Sequence, residues 1–358
     1  MEDWLKAALE QAGIEHAGID DGRARAVLVT VAIVEGSVPR EPGTKMLVDA
    51  ARQWGTVGGG HLELRGAEVA RAMLASGEAR RLERFPLGPS LGQCCGGVVH
   101  LAFEAVGEEH LSQLRTLAMR RKQDSWRLVA FDGAPDLALF DADGKPLQGA
   151  AASLLAGARA GLDAHTRAGT HVLRDLEGRR WLLDKIEAPR AHLMLFGAGH
   201  VGAAIVRALA DLPCRVTWVD ERDDMFPAAL PHNVTVEATD MPEALAANAA
   251  PGTSFLVMTH SHALDQRVAE AILKRPSFGP SPDWFGLIGS NTKRKQFEHR
   301  LRERGIPDAR LDAMVCPIGV PGIEGKQPAV IAIAVAAQLL MVWEAQGACQ
   351  AETHSERS

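Results

Sequence analysis

The sequence predicts an α/β protein of two domains, the second of which is built on a doubly wound parallel sheet. From residue 191 onward, short apolar segments alternate regularly with helical segments, which is the pattern of parallel strands joined by helices. The first of these segments runs directly into Gly197-Ala198-Gly199-His200-Val201-Gly202, which has the spacing of a dinucleotide-binding turn that opens a helix. The second domain is therefore predicted to be Rossmann-like.

The length of 358 residues is enough for about two domains of ~100–200 residues each. We predict four regions: an N-terminal α/β domain (1–110), a β-rich extension or linker (111–190), the Rossmann-like domain (191–348) and a frayed tail (349–358).

Hydrophobic patterning places the main elements within these regions. Eight apolar runs predict strands, at residues 26–34, 45–48, 98–103, 192–196, 215–219, 234–236, 255–259 and 284–288. The turn sequences at residues 141–144 and 175–178 predict hairpins between the two domains. The last helix is predicted to begin at Pro328, because proline suits the first helical position, and its apolar residues almost all round predict burial.

Charge and composition exclude several classes of partner. A net charge of -6 makes a poor nucleic-acid binder, because phosphate contacts need a basic surface. The longest apolar run, residues 329–337, is shorter than the ~20 residues that span a bilayer, and the N-terminus lacks the apolar stretch of a signal peptide. Five cysteines without a secretion signal indicate free thiols in a reducing compartment. We expect a cytoplasmic protein that binds neither nucleic acid nor membrane.

Each glycine of the turn at residues 197–202 has a physical rationale. Gly197 permits the tight turn, Gly199 lets the backbone approach a phosphate, and Gly202 lets the helix lie close to the strand. The helix N-terminus offers N–H groups to an anion, and Asp220 ends the next strand, where a ribose-binding carboxylate belongs. The alternative is that these glycines only fold the unit and that no nucleotide binds.

Two later loops also follow predicted strands. His260, His262 and Asp265 could ligate a metal or transfer protons, or could instead form a helix cap with exposed imidazoles. Lys293 lies in the basic segment at residues 289–295, where capping residues and cations could hold a phosphate or could form a solvated charged face.

A second glycine-rich loop, Gly58-Gly59-Gly60-His61-Leu62-Glu63, precedes a predicted helix in the first domain. Ordering a glycine in regular structure costs roughly 0.5–1 kcal/mol relative to alanine. The close approach of a ligand is therefore a reasonable explanation for three consecutive glycines. A flexible turn is the alternative.

The motif Leu91-Gly92-Gln93-Cys94-Cys95-Gly96-Gly97 is the most distinctive of the sequence. Adjacent Cα atoms lie ~3.8 Å apart, below the ~4.4 Å minimum of an unstrained disulfide, so Cys94 and Cys95 are not expected to form one together. Without a second cysteine pair they do not make a standard zinc site. They fit reversible sulfur chemistry or capture of a soft metal, with burial as small hydrophobic side chains as the alternative.

In their order along the chain, these motifs resemble the xanthine dehydrogenase accessory proteins of the XdhC/CoxI type. The resemblance covers most of the chain, and the ordered set is more specific than any one motif. Members of the CoxI type carry Cys at the position of His61. The segments that carry the resemblance lie at residues 36–40 with 43 and 46–48, then 55–63, 93–97, 197–202, 289–294 and 316–319.

The resemblance implies a dedicated chaperone and not a turnover enzyme, so no catalytic residue is expected. Such proteins bind the molybdenum cofactor, protect it while a cysteine desulfurase helps to install its sulfido ligand, and deliver it to apo-xanthine dehydrogenase. A homodimer is also expected from the family. The cofactor-binding candidates are Gly58, Gly59, Gly60, His61, Glu63, Gly197, Gly199, Gly202, Asp220 and Lys293, together with Cys94 and Cys95 as candidate molybdenum contacts.

Two other functions fit the same residues. The main alternative is an NAD(P)-dependent oxidoreductase that uses residues 197–202 and Asp220 for the nucleotide and the region of His260 and His262 for proton transfer. The third is a nucleotide-sensing regulatory protein without chemistry. The cofactor content of protein purified from its native host separates them, as molybdenum with pterin, a nicotinamide, or an empty site.

Overall fold

The computed structural model describes the chain at residues 3–13, 24–88, 96–133, 136–149, 169–175, 177–278 and 283–355. The chain divides into two compact units, Met1–Ala188 and Pro189–Ser358. The region at residues 111–190, predicted as an extension or linker, lies almost wholly within the first unit.

The described part of the first unit forms two five-stranded antiparallel sheets with three α-helices. The strand orders are β3-β2-β1-β5-β4 and β8-β7-β6-β10-β9. The elements are α1 (Asp3–Ala12), β1 (Ala26–Glu35), β2 (Lys45–Asp49), β3 (Gln53–Gly55), α2 (Gly60–Ser76), β4 (Arg80–Pro86), β5 (Val98–Val106), α3 (Leu111–Met119), β6 (Ser125–Ala130), β7 (Leu137–Asp141), β8 (Pro146–Gln148), β9 (His171–Arg174) and β10 (Arg180–Ile186).

The first sheet is buried on both faces, because successive side chains of a strand point to opposite sides. On one face, Val29 of β1 packs in a cluster with Met73 of α2. On the other face, Leu28 packs in a second cluster with Leu182 of the second sheet and with residues of α1 and α3. This double burial explains why the run at residues 26–34 is apolar at nearly every position.

A buried ion network crosses the space between the two sheets. Lys45 Nζ donates to Asp184 Oδ1 at 2.7 Å, and Arg127 Nη1 donates to Asp184 Oδ2 at 3.2 Å. Arg127 Nη2 also donates to both carboxylate oxygens of Glu104, at 2.9 and 2.7 Å. All four side chains are buried, so each charge depends on its partners in place of water.

The second unit has a parallel sheet of six strands in the order β13-β12-β11-β14-β15-β16. Numbered within the unit, this order is 3-2-1-4-5-6, which is that of a Rossmann fold. The elements are β11 (Ala191–Phe196), α4 (His200–Ala208), β12 (Cys214–Asp220), β13 (Val234–Ala238), α5 (Pro242–Ala247), β14 (Ser254–Val257), α6 (His262–Leu273), β15 (Trp284–Leu287), α7 (Asn291–Glu303), α8 (Asp308–Asp312), β16 (Met314–Val315) and α9 (Pro328–Ser355).

The α/β fold and the Rossmann-like second domain predicted from the sequence are confirmed. The eight predicted strands are present, and both predicted hairpins form, between β7 and β8 and between β9 and β10. The structure adds short or polar strands that the apolar pattern did not reveal, among them β3, β4 and β16.

Helix α9 departs from the sequence prediction in two ways. It begins at Pro328 as predicted, but it extends to Ser355 through the segment predicted as a frayed tail, which contains no helix-breaking residue before Ser355. Val335 and Leu339 pack in the core with residues of α4, whereas Ile333 and Met341 are 61% and 66% exposed. The prediction of burial all round is therefore wrong, because only one face meets the sheet unit.

By length and composition alone, the segment Pro328–Gln346 of α9 is also apolar enough to cross a membrane, with a mean hydropathy of 1.8. The uninterrupted apolar run at residues 329–337 is shorter than this segment. The apolar character continues beyond it, since Gln338 is the single polar residue before Glu344. A core helix of a globular protein has the same composition, and the inner face of α9 contributes to the core of its unit.

Candidate functional site

The glycine-rich turn follows β11, at the carboxyl end of the sheet and at the point where the strand order reverses. Gly197 has φ +121°, and a Cβ there would come closer than 3.0 Å to the carbonyl oxygen of Met258. A Cβ on Gly202 would come equally close to the carbonyl oxygen of Gly197. Real Cβ atoms do not make such contacts, so both glycines are required by the fold itself.

Gly199 differs from the other two glycines of the turn. It is the N-cap residue of α4, with φ -74° and ψ -176°, a conformation that any residue adopts. Apart from its chain neighbours and the backbone of its own helix, a Cβ on Gly199 would meet no atom of the described residues within 4 Å. The fold therefore gives no reason for a glycine here, whereas a ligand that approaches the N–H groups of the helix N-terminus does.

Asp220 lies at the end of β12, as predicted, but its carboxylate is fully engaged. Oδ2 accepts from Ala198 N at 2.7 Å and from Arg222 Nη2 at 3.0 Å, while Oδ1 accepts from Arg222 N at 3.1 Å and Nε at 2.9 Å. Burial acts to raise the pKa of Asp220, but the hydrogen bonds from Arg222 and Ala198 hold that pKa below its ordinary value. Asp220 is thus a buried anion that holds the turn.

The loops after β14 and β15 are joined by a second carboxylate. Asp265 Oδ1 accepts from the backbone N and the hydroxyl of Thr259 at 2.9 and 2.8 Å. Asp265 Oδ2 accepts from Lys293 Nζ at 2.7 Å, and the same ammonium donates to the carbonyl of Ile288 at 2.9 Å. Lys293, a predicted cofactor ligand, therefore holds two loops together by its contacts within the fold.

The loop that carries His260 and His262 contains the helix cap that was one of the two predictions for it. Ser261 is the N-cap of α6 and accepts from Leu264 N, while His260 and His262 are exposed. Within the described residues, no group of three or more His, Cys, Asp and Glu side chains is arranged to hold a metal ion. The structure thus supports a helix cap at residues 260–262.

Cys214 and Cys316 are buried free thiols. Burial raises the pKa of Cys214 to about 11, and it also raises the pKa of Cys316. Cys214 lies in the core, as the sequence predicted. Cys94 and Cys95 lie outside the described residues, so their predicted contacts with molybdenum stay predictions.

In the first unit, three motif loops lie at one edge of the first sheet. A Cβ on Gly58 would come within 2.6 Å of the ring of Pro39, so the loop after β3 packs against the loop after β1. A Cβ on Gly97 would come closer than 3.0 Å to the carbonyl oxygens of Glu35 and Ser37. Gly97 lies directly before β5, so the residues that follow the cysteine pair also pack against the loop after β1.

Gly59, Gly60 and His61 form the start of α2. Gly59 is the N-cap with φ +74°, and Gly60 has φ +60°, so both occupy the region that favours glycine. Glu63 Oε2 accepts from Gly59 N at 3.1 Å and from the hydroxyl of Thr56. His61 is exposed at this helix N-terminus, whereas the Glu63 carboxylate is occupied within the loop.

A cavity of about 450 Å³ lies in the first unit, near the end of α2 and the start of β4. This is the opposite end of α2 from the glycine loop. Two of its polar side chains are paired within the fold: Arg80 Nη1 donates to the carbonyls of Ala130 and Asp136, and His110 Nδ1 accepts from Gly107 N. We assign no function to this cavity.

Sequence reasoning missed two residues that shape the turn and the neighbouring loop. Arg222 pairs with Asp220, and Thr259 donates twice to Asp265. A basic residue two positions after a strand-terminal Asp is a usable signal for such a pair. Thr259 carried no comparable signal, because a threonine at a strand end is common.

Comparison with known protein families bears on the same two regions. A model of the XdhC and CoxI family matches residues 20–86, which include the loop at residues 58–60. A model of the XdhC Rossmann domain matches residues 193–339, which include the turn at residues 197–202. The chain belongs to the XdhC and CoxI family. Membership of this family indicates a role in the maturation of xanthine dehydrogenase.

Three individual proteins are similar to this chain. The uncharacterized protein YqeB of Escherichia coli is 29% identical over 188 residues, which are 52% of this chain but 32% of YqeB. A probable xanthine dehydrogenase component of Bacillus subtilis is 24% identical over 89% of this chain and 94% of its own length. A crystal structure described as a xanthine dehydrogenase from Bacillus halodurans has the same fold, with a TM-score of 0.70, 20% identity and 96% of each chain covered.

Proposed function

We propose that this XdhC/CoxI family member is a chaperone for the molybdenum cofactor. It would bind the cofactor, protect it during sulfuration by a cysteine desulfurase, and deliver it to apo-xanthine dehydrogenase. A homodimer in the cytoplasm is part of the same proposal. Support comes from the family and from the Rossmann-like turn. Gly199 is the most exposed glycine of this turn, and its contacts in the fold do not require a glycine, whereas the approach of an anion does.

The residues of the turn fit one part of the cofactor, which is a phosphorylated pterin that carries a dithiolene group. The phosphate needs N–H donors and open space, and the N-terminus of α4 beside Gly199 offers both. When bound, the cofactor supplies the molybdenum centre on which the dehydrogenase depends. The chain's own task is to orient the phosphate and to keep the cofactor intact until transfer.

Cys94 and Cys95 are proposed to meet the metal end of the cofactor or to accept the sulfur destined for it. In the second case, a thiolate of the pair would attack the outer sulfur of a persulfide on the cysteine desulfurase and release the desulfurase thiolate. Thiolates are the form that ligates soft metals, and glycines lie close to the pair on both sides in the sequence. In the described part of this segment, Gly96 and Gly97 pair with Leu87 through backbone hydrogen bonds of 2.8 and 2.7 Å. The cysteine pair thus directly precedes an ordered, hydrogen-bonded strand connection.

The observation that carries the proposal is the open space at Gly199, so the decisive variant is Gly199→Val. The branched side chain has room in the fold but would occupy the space needed by a phosphate. We expect molybdenum and pterin content, measured on protein from the native host, to fall by about tenfold. The thermal midpoint should stay unchanged. Ala229→Val, on an exposed loop of the same unit, is the matched control.

The double variant Cys94→Ala/Cys95→Ala tests the other end of the cofactor. We expect it to stay folded, to bind less cofactor and to fail to activate apo-xanthine dehydrogenase in a reconstitution assay. Cys349→Ala removes a thiol elsewhere in the chain and should behave as wild type. Normal cofactor content and full activation by the double variant would leave the pair without a functional role.

A further inference from the structure

The carboxylate of Asp220 stands where Rossmann folds place the acceptor for the hydroxyls of a nucleotide ribose. A carboxylate has about four positions for hydrogen-bond donors. In this chain those positions are taken by Ala198 N and by three N–H donors of Arg222, at 2.7 to 3.1 Å. The Asp220 side chain is 2% exposed, so a ribose would have to displace donors that are already well placed.

Recognition of a phosphorylated ribose is not favoured either. NADP-binding Rossmann folds use a nearby arginine for the 2′-phosphate. Arg222 is 38% exposed, but two of its side-chain nitrogens are held by Asp220. Its hydrogen bonds to Asp220 raise the pKa of Arg222, and the neighbouring charges of Asp224 and Glu221 raise it further. A second anion beside Arg222 would meet this negative charge.

The same carboxylate has a clear task within the chain. Ala198 lies between Gly197 and Gly199, so the hydrogen bond from Ala198 N fixes the middle of the turn relative to the end of β12. Trp218 of β12 supports the same turn by donating from Nε1 to the carbonyl of Gly197 at 3.0 Å. Both contacts tie the turn to β12 and leave the space beside Gly199 open.

We propose that Asp220 is a positioning residue, which holds the glycine-rich turn in its phosphate-binding shape and does not contact a ribose. The turn consequently binds the phosphate of its ligand without recognising a nucleoside. This inference rests on the proposed function, because it takes the turn to be the phosphate site of the chaperone.

Isothermal titration of the full-length protein with three probes tests the inference. The probes are 6-hydroxymethylpterin monophosphate, ADP, and 2′,3′-dideoxy-ADP, which lacks the ribose hydroxyls. Sites built to bind a hydroxyl reject the analogue without it by about 10⁴-fold or more, so a ribose-reading Asp220 would give a large gap between ADP and its dideoxy form. We expect ADP and dideoxy-ADP to differ by less than about threefold, and the pterin phosphate to bind more tightly than either.

Two variants separate positioning from ligand contact. Asp220→Ala removes the acceptor for Ala198 N, and we expect it to weaken pterin phosphate binding by about tenfold, the loss typical of one hydrogen bond. Asp220→Asn keeps one acceptor oxygen and should restore the affinity to within about threefold of wild type. A merely structural role would lower stability without this rescue of affinity, and thermal midpoints measured alongside identify any variant that fails to fold.

The results separate the role of Asp220 from the existence of the phosphate site. If the pterin phosphate binds, but the affinity for ADP exceeds that for dideoxy-ADP by about tenfold or more and Asp220→Asn removes the difference, Asp220 contacts a ribose. In that case this inference is wrong, while the proposed phosphate site stands. Unchanged pterin phosphate affinity in Asp220→Ala also overturns it. If wild type binds no pterin phosphate, the proposed phosphate site fails and the inference fails with it.

Discussion

The two glycine-rich loops of this protein look alike in sequence but are held in place differently. Each loop precedes a helix, and in each a carboxylate accepts a hydrogen bond from a backbone N–H of the loop. Glu63 accepts from Gly59 N in the first loop, and Asp220 accepts from Ala198 N in the second. Glu63 is bound by neutral donors from nearby in the chain, whereas Asp220 is bound by the charged side chain of Arg222.

The glycines show a second difference between the loops. In the first loop, Gly58, Gly59 and Gly60 all have positive φ, so backbone conformation alone explains each of them. In the second loop, Gly197 and Gly202 are explained by close contacts, and Gly199 is explained by neither contact nor φ. A run of glycines is therefore weaker evidence for a ligand than one glycine that the fold does not need.

The largest effect is expected where the second loop is most tightly packed. Gly197→Ala combines a positive φ with a clash against the carbonyl of Met258, and we expect it to lower the free energy of unfolding of the second unit by about 4 kcal/mol. Urea denaturation measures the loss. Gly199→Ala, two residues away, should cost less than about 0.5 kcal/mol, and similar costs for both would contradict the distinction between these glycines.

The first unit buries the charged network that contains Glu104 and Arg127. Burial acts to raise the pKa of Glu104, but Arg127 and His110 hold it below the ordinary value of 4.5. Because the folded-state pKa is lowered, the stabilisation is present above the unfolded-state pKa and is lost as the pH falls through the folded-state pKa. The first unit should therefore lose stability progressively below about pH 4.5.

Glu104→Gln isolates this contribution. It leaves Arg127 with Asp184 as its remaining carboxylate partner among the described residues, and we expect a loss of about 3 kcal/mol in the free energy of unfolding at neutral pH. The acid-induced loss below about pH 4.5 should be smaller in the variant than in wild type, by thermal denaturation at each pH. An unchanged pH profile would show that the network does not govern acid stability.

The sequence predicted the second unit better than the first for a physical reason. Parallel strands buried on both faces are uniformly apolar, so the strands of the second unit stand out, and the dinucleotide-type turn marked this unit as Rossmann-like. In the first unit, β4 reads Arg-Arg-Leu-Glu-Arg-Phe-Pro, and its charged residues concealed a strand that pairs with β5 along its whole length. The ion network could not be predicted from the sequence either, because its first and last members, Lys45 and Asp184, are 139 residues apart in the chain.

The sequence predicted which residues lie together at the candidate site, but not the contacts that they make within the fold. Gly197, Gly199, Gly202 and Asp220 do meet at one turn, as the spacing indicated. Spacing cannot show, however, that Asp220 is saturated, because the saturation depends on the rotamer of Arg222 and on its two-residue offset from the strand end. Likewise, Lys293 matches a phosphate-binding pattern, but the buried carboxylate of Asp265 captures its ammonium.

The smallest expected effect concerns the carboxylate of the first loop. Glu63→Gln keeps one oxygen for Gly59 N or Thr56 and loses the charge, so we expect a decrease of about 1 kcal/mol in the free energy of unfolding, typical of one weakened hydrogen bond. Cofactor content should stay at the wild-type level, because the structure gives this carboxylate a task within its own loop. Denaturation and cofactor analysis of the same preparation provide both readouts. If the cofactor is lost while stability is unchanged, Glu63 contacts the ligand after all, and the first loop resembles the second in having one residue that the fold does not need.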